Sequence, residues 1–378
     1  MIDIRELSDY ILFVHVKDEF LESIKNRIYS KFGSIRRFAL FDKSFSSECF
    51  YYSILSGKKD TRLCSWLKWC RTFDIPLEYF KNNILKIRSR YTGNLLLNKL
   101  PIEPSAELAS LVGHALGDGH VSENLWYFSY TNNSFELHNE VKSLISNFCT
   151  FGYNERFHKA LTIQYPSIVA VILHLAGAQN GNKIIKDFLV PKWILDGSKS
   201  IKISFLRALF DDEGTVKKSS HEILLKLSKN EFYLNSLLDF MNQVKKLLEE
   251  IGIEVTSIRK ENIIEGKNGR TIQLVLSIHG YKNFIKFLYD IDFHHKEKQQ
   301  DLQTLVNSYK KFPLRKGRGQ KLVYNKLVKP KTIYTLSEEL NISIVSVYKH
   351  LKKLQAKNVV EKIEYSRTKP AFWRRLNG

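Results

Sequence analysis

An internal repeat constrains this chain more than any other feature. Two segments, LVGHALGDG at 111–119 and LRALFDDEG at 206–214, each read as an apolar helix that ends in an acid followed by glycine. Asp118 and Glu213 hold the same place in the two segments, 95 residues apart. Downstream of each segment the elements come in one order. In the first copy there are a β-like stretch at 125–130, a helix at 134–149, a strand-like run at 157–165 and an apolar run at 168–175. In the second, alternation at 223–227 precedes an amphipathic helix at 231–250, a hairpin of 253–264 with 271–278, and a helix at 281–289. Each half is α-β-β-α-β-β-α in outline, which predicts an α+β core with a pseudo-two-fold axis.

Gly113, Ala115 and Gly117 in one helix and Ala208 in the other permit close backbone packing, which brings both carboxylates to one place on that axis. Gly119 and Gly214 are expected to take the left-handed conformation that stops each helix. Two carboxylates forced together raise one another's pKa unless cations bridge them. An oxygen-only site with open positions suits Mg²⁺, which also accepts phosphate oxygens. Paired ions on paired carboxylates serve phosphodiester hydrolysis, one activating water and one stabilising the leaving oxygen. A single acid–glycine ending is most simply a helix cap; its recurrence one repeat later points to a shared site.

Charge narrows the partner. The 378 residues carry 59 Lys and Arg against 39 Asp and Glu, a net of +20. Residues 310–378 alone hold 18 basic and 4 acidic side chains. Such concentration of positive charge marks a polyanion-binding region, nucleic acid first among the choices. No run of about 18 apolar residues is present to span a bilayer, and the opening MIDIRELSDY has no signal-peptide pattern. The four cysteines form no C-x-x-C pair and read as reduced, packed thiols of a cytoplasmic protein, not as a zinc site. Residues 1–100 read as short helices with aromatic interfaces, either a small DNA-binding domain or a plain helical cap. LPIEPSAE at 100–107 marks a boundary. The expected divisions are 1–100, 101–190, 191–309 and 310–378.

Over roughly residues 105–308 the paired segments resemble the two motifs of single-chain LAGLIDADG homing endonucleases. The first copy has Leu116 where the family has an acid. The second has Arg207 at the second position, Asp212 at a usually small position and Glu213 for aspartate. The resemblance implies two antiparallel saddle sheets whose concave faces lie along duplex DNA. It implies Mg²⁺, with Mn²⁺ able to substitute, held by Asp118 and Glu213 with Gly117 and Asp212 beside them. It also implies four supporting catalytic residues: Asn132 and Lys229 in the strand after each motif, and Lys183 and Lys296 after the last helix of each half. On the saddles, Arg156, Lys159, Lys226, Arg259 and Lys260 are candidate DNA contacts.

The basic C-terminal stretch reads as helices at 321–328, from Thr335, and at 344–354, with Thr335 and Glu338 at capping-box spacing, then two strands at 359–365 and 371–376. It resembles the winged helix-turn-helix family. That implies a recognition helix at 344–356 presenting Ser343, Ser346, Lys349 and His350 to a major groove, with Arg367 and Lys369 in the wing. The combined reading is a monomeric, Mg²⁺-dependent site-specific DNA endonuclease acting on a long asymmetric duplex, with no obligate protein partner because the duplication supplies the two-fold. The added winged helix and altered second motif suit an alternative, a cleavage-deficient LAGLIDADG-derived DNA-binding regulator. Intron RNA maturases are a third reading. An intein is not expected, since the chain opens on no nucleophilic Cys or Ser and ends without His-Asn.

Overall fold

In a computed structural model, every residue is described except 91, 267–268, 309–317, 364–370 and 377–378. The chain forms two compact units, 1–302 and 303–378.

The repeat predicted from sequence organises most of the first unit. The first half places strands Gly119–Val121, Tyr127–Asn132, Leu161–Pro166 and Asn154–Phe157 side by side in that order. The second half places Gly214–Lys217, Glu222–Asn230, Gly269–Ile278 and Ser257–Gly266 in the same order. All pairings are antiparallel. Alternation along Tyr127–Asn132 buries Phe128 and Tyr130 and leaves the residues between them on the open face, as a sheet packed on one side requires. Helices Phe135–Ser146 and Leu234–Glu250 supply Leu137, Val141 and Ile145, and Phe240, Val244 and Leu248, to the core.

Residues 1–100 are not only helical. Helices Asp18–Phe32, Ile35–Asp42, Glu48–Leu55 and Leu63–Thr72 enclose an aromatic core of Phe20, Phe38, Tyr51, Trp66 and Trp69. A five-stranded sheet also runs through this region, and its last strand, Cys149–Thr150, comes from the first repeat. The boundary at 100–107 is therefore bridged: Asn94 pairs with Thr150 and Leu95 with Cys149, and Ile2 bridges Ile102. Strands as short as Phe13–Val16 and Ile84–Arg88 carry too few residues to stand out among helices.

The second unit packs helices Gly319–Lys326, Ile333–Leu340 and Ile344–Ala356 against a three-stranded sheet of Lys331–Thr332, Phe372–Arg375 and Val360–Ile363. Its core includes Val323, Leu336, Val347, Leu351 and Trp373. The N-cap of the middle helix is Thr332 rather than Thr335: the Thr332 hydroxyl accepts from the Thr335 N–H at 3.2 Å. All four cysteines are free, and burial pushes the Cys70 and Cys149 thiols up to about 12. Among the described residues no helix is long and apolar enough to cross a membrane.

Candidate functional site

Both motif helices are built for burial. Every residue from Leu108 to Leu116 is buried in Ala106–Leu116, and Phe205, Leu206 and 208–211 are buried in Lys199–Glu213; a helix apolar on all sides belongs inside a protein. The two cross at very short range. A Cβ on Gly113 would lie 2.7 Å from Phe205 O and 2.8 Å from the Ala208 Cβ, and one turn later a Cβ on Gly117 would meet the Asp212 side chain at 2.5 Å. Gly113 with Ala208, and Gly117 with Asp212, are repeat-equivalent positions 95 residues apart. The pseudo-two-fold axis thus passes between the helices at these contacts. Arg207 does not obstruct the crossing, because its Nε donates to Ile291 O.

Gly119 and Gly214 end the helices without left-handed backbone. Gly214 has φ −82° and ψ 155°, and Gly119 is absent from the positive-φ residues. The chain doubles back into a strand directly beneath each helix end, so a Cβ at 119 would fall 2.6 Å from Ala115 Cα and 2.7 Å from His114 O.

Asp118 and Glu213 lie at the end of this crossing. The Asp118 carboxylate accepts from Asn132 Nδ2 at 2.7 Å. Burial pushes the Asp118 carboxyl up to about 6, with Asp212 adding to it and Asn132 and Lys183 opposing. Burial, then the charge of Asp118, pushes Glu213 up to about 7. Two acids that disfavour each other's charge form an oxygen donor set that fits a hard divalent cation such as Mg²⁺.

The residues before them do other work. The Asp212 side chain is fully buried and accepts from His114 Nδ1 at 3.1 Å, the Tyr130 hydroxyl at 2.6 Å and the Asp118 N–H at 3.1 Å. It fastens the second motif helix to the first half. The Gly117 carbonyl accepts from Lys183 Nζ. Both residues that sequence set beside the metal thus already serve the crossing itself.

Lys183, named by the resemblance to the LAGLIDADG family, lies against the end of the first motif helix. Half-buried beneath that helix, it also donates to Leu116 O at 2.9 Å and Ala115 O at 3.3 Å. The counterpart in the second half is Lys298, not Lys296. Lys298 Nζ donates to Asp211 O at 2.5 Å, Asp212 O at 3.2 Å and Phe210 O at 3.4 Å. Lys296 is 70% exposed and pairs with Glu136 at 2.6 Å. Burial lowers the pKa of both Lys183 and Lys298, against the pull of the surrounding acids.

Strand register corrects the other supporting pair. Gly119 pairs with Tyr130 and Gly214 with Leu225. Two residues on, Asn132 therefore matches Leu227, which is 7% exposed and apolar. Lys229 lies one further pair along, fully buried on the inner face, its Nζ donating to Ser236 Oγ at 3.1 Å and lying 4.1 Å from the Phe188 ring centroid. In the first half a strand amide holds the acid, Asn132 on Asp118; the repeat-equivalent Leu227 has no such group.

In the second unit, helix Ile344–Ala356 is capped by Ser343, whose hydroxyl accepts from the Ser346 N–H at 3.2 Å. Its exposed face carries Ile344, Val345, Tyr348, Lys349, Lys352 and Lys353. His350 turns inward instead: its ring fills the space beside Gly319. Sequence reasoning misses Tyr348 and Lys352, although their helical spacing from Lys349 is a signal that could have found them. Arg367 and Lys369 lie outside the described residues.

Two segments match known families. Residues 200–292 match the LAGLIDADG-like domain. Residues 320–374 match the family described as sugar-specific transcriptional regulator TrmB. The replication factor C small subunit of Methanocaldococcus jannaschii is 30% identical over 225 residues, which are 55% of this chain and 12% of that protein. The tRNA-splicing ligase RtcB of Methanopyrus kandleri is 26% identical over 236 residues, 57% of this chain and 23% of that protein. The chain thus spans only a minor part of either relative's length. Among solved structures, full-length DUF199/WhiA from Thermatoga maritima aligns with TM-score 0.34 at 15% identity, covering 68% of this chain and 92% of that one.

The sheets of the LAGLIDADG-like core present open faces that differ in character. On the first, Tyr127, Ser129 and Thr131 lie beside Thr162 and Gln164, with Asn154 and Arg156 on the edge strand, a row of short polar donors and acceptors. Lys159 lies in the hairpin turn, off the sheet. On the second, Lys226 and Arg259 flank Val275 in register, and each is paired with an acid, Lys226 with Glu261 and Arg259 with Glu222. Lys260, next along the strand from Arg259, pairs with Leu274 and so belongs to the opposite face.

Proposed function

We propose that the chain is a sequence-specific duplex-DNA-binding protein of regulatory type, in which the LAGLIDADG-like core is a scaffold and the winged helix supplies most of the affinity. The distribution of charge carries this reading. Residues 310–378 hold 18 Lys and Arg against 4 Asp and Glu, and 1–100 hold 18 against 11, whereas 101–309 hold 23 against 24. Phosphate neutralisation dominates nucleic-acid affinity, so the near-neutral core adds little general attraction and the flanking regions add most of it. The TrmB match supports a regulatory role through that family's description. The names of the matched relatives, a replication factor subunit and an RNA ligase, share no activity, so none is carried to this chain.

Phosphodiester cleavage is a second reading, favoured by one observation: Asp118 and Glu213 are both present at the crossing, with Lys183 and Lys298 behind them. Mg²⁺ held there by the two carboxylates would supply a Lewis acid and an activated water. Asn132 would orient Asp118, while Leu227 leaves Glu213 without the same help.

Fluorescence anisotropy on labelled duplex and on matched single-stranded RNA, each over a salt series, tests the main reading. Expected are tighter duplex binding and a log–log salt slope that falls when Lys349, Lys352 and Lys353 are replaced together by alanine. Preference for RNA, or an unchanged slope, overturns it.

A further inference from the structure

Behind the acid pair, where the two halves meet, lies a second cluster that neither the acid pair nor the DNA-binding surface uses. Glu140 and His114 come from the first half, Asp211 and His294 from the second. One ligand atom each of Glu140, Asp211 and His294 lie within 4.8 Å of one another. His294 Nδ1 is 2.7 Å from Glu140 Oε2, and His114 Nε2 approaches the same oxygen at 3.7 Å.

Two details resemble a ligand shell more than a salt-bridge tangle. His114 is completely buried, and its Nε2 has no hydrogen-bond partner. Its other nitrogen, Nδ1, is held by Asp212 at 3.1 Å. A carboxylate on one imidazole nitrogen, aiming the other at the cluster, is how outer-shell groups prepare a histidine for a metal. Asp211 is fixed in the same manner, its two oxygens accepting from the His294 and His295 N–H groups at 3.2 and 3.0 Å. Those bonds leave lone pairs on the carboxylate. His294 is 46% exposed on its side chain and gives an ion a way in.

We propose that Glu140, Asp211 and His294 bind one divalent transition-metal ion of the zinc class, drawing in His114 as a fourth donor from behind Glu140, and so staple the two halves together. Two imidazoles with two carboxylates favour Zn²⁺ over Mg²⁺, which prefers oxygen alone. Bonds of about 2.0–2.2 Å set neighbouring ligand atoms about 3.3–3.5 Å apart in a tetrahedron, so the 2.7 Å and 3.7 Å spacings to Glu140 change little, while the wider separations, up to 4.8 Å within the triad, close as the side chains turn toward the ion. On binding, the ion displaces the protons that the His294 and His114 rings hold toward Glu140, and both leave to solvent, because only neutral imidazoles ligate. The site is separate from DNA binding and from Asp118 and Glu213.

The test uses the full chain, stripped with a chelator and then titrated calorimetrically with ZnCl₂ without DNA. Elemental analysis gives the stoichiometry and thermal unfolding the consequence. One Zn²⁺ per chain is expected, with a rise in Tm, and Mg²⁺ in excess should not displace it. His294→Ala, a change at an exposed residue, should weaken binding at least tenfold and abolish the Tm rise. His158→Ala, at an exposed histidine elsewhere, should alter neither. Co²⁺ bound in place of Zn²⁺ should give visible bands of four-coordinate ligation that His294→Ala removes. No uptake, uptake of equal affinity in His294→Ala, or displacement by Mg²⁺ overturns the proposal.

Discussion

Lys183 and Lys298 grip repeat-equivalent carbonyls. Lys183 Nζ reaches the oxygens of 115–117 and Lys298 Nζ those of 210–212, two triplets 95 residues apart. A buried ammonium at a helix C-terminus satisfies carbonyls that the helix leaves unpaired and complements its dipole. Here each also stands beside an acid whose charge it offsets. Methionine at either position leaves those carbonyls without their donor, at an expected cost of about 1–3 kcal/mol in urea unfolding. Lys296→Met, at an exposed ion pair, should stay within about 0.5 kcal/mol of the parent. Equal losses for Lys296 and Lys298 variants would contradict the assignment.

The acid pair makes stability depend on pH in an unusual direction. Asp118 and Glu213 stand at about 6 and about 7 in the folded chain, above an ordinary carboxylate, so the native state holds their protons more tightly than the unfolded state does. Their ionised forms are therefore a liability above those values, relieved as pH falls from about 8 through 7 and 6. Asp118→Asn should raise Tm at about pH 8 and change it little at about pH 5. MgCl₂ should raise the Tm of the parent at the higher pH and do less for the variant. Loss of stability in Asp118→Asn at the higher pH, as expected of a simple cap, would count against the pair.

Much of this is legible in the sequence, and the failures share a cause. The repeat, both acids and the winged helix rest on strong periodic signals spanning tens of residues, whereas Lys183 rests on the resemblance to the LAGLIDADG family. Lys298 escapes sequence reasoning because two lysines stand two residues apart, and only the phase of helix Lys296–Ser308 decides which turns toward the carbonyls. Lys229 is misplaced by it because strand register, which no local pattern reveals, puts Leu227 opposite Asn132 in the repeat. His350 has the character of a DNA reader until packing against Gly319 fixes which side of its helix faces inward. In each case the direction of the side chain is set by tertiary contact.

Lys229 itself offers a clean check. Burial, only partly offset by Asp187, lowers its pKa to about 8, so its charged form opposes folding, and the penalty fades as pH rises through that value. Lys229→Met should hold or raise Tm near neutral pH, with the gain shrinking toward about pH 10. Its DNA affinity should match the parent. A large loss of affinity in anisotropy would restore Lys229 to the functional surface.

On the winged helix, Lys349 and Lys352 should behave as phosphate or base contacts and His350 as a packing residue. Alanine at either lysine should weaken duplex binding and lower the salt slope by about 1 if the contact is to phosphate. His350→Ala should lower Tm and leave the slope alone. A slope change in His350→Ala with unaltered Tm would reverse those roles.

The most direct measurement is to select duplexes from a randomised pool with the full chain, incubate the winners with MgCl₂, and resolve both strands on a denaturing gel. A DNA-binding regulator enriches a defined sequence and leaves both strands intact. Scission of both strands, absent in Asp118→Asn, would contradict that account and establish the nuclease instead.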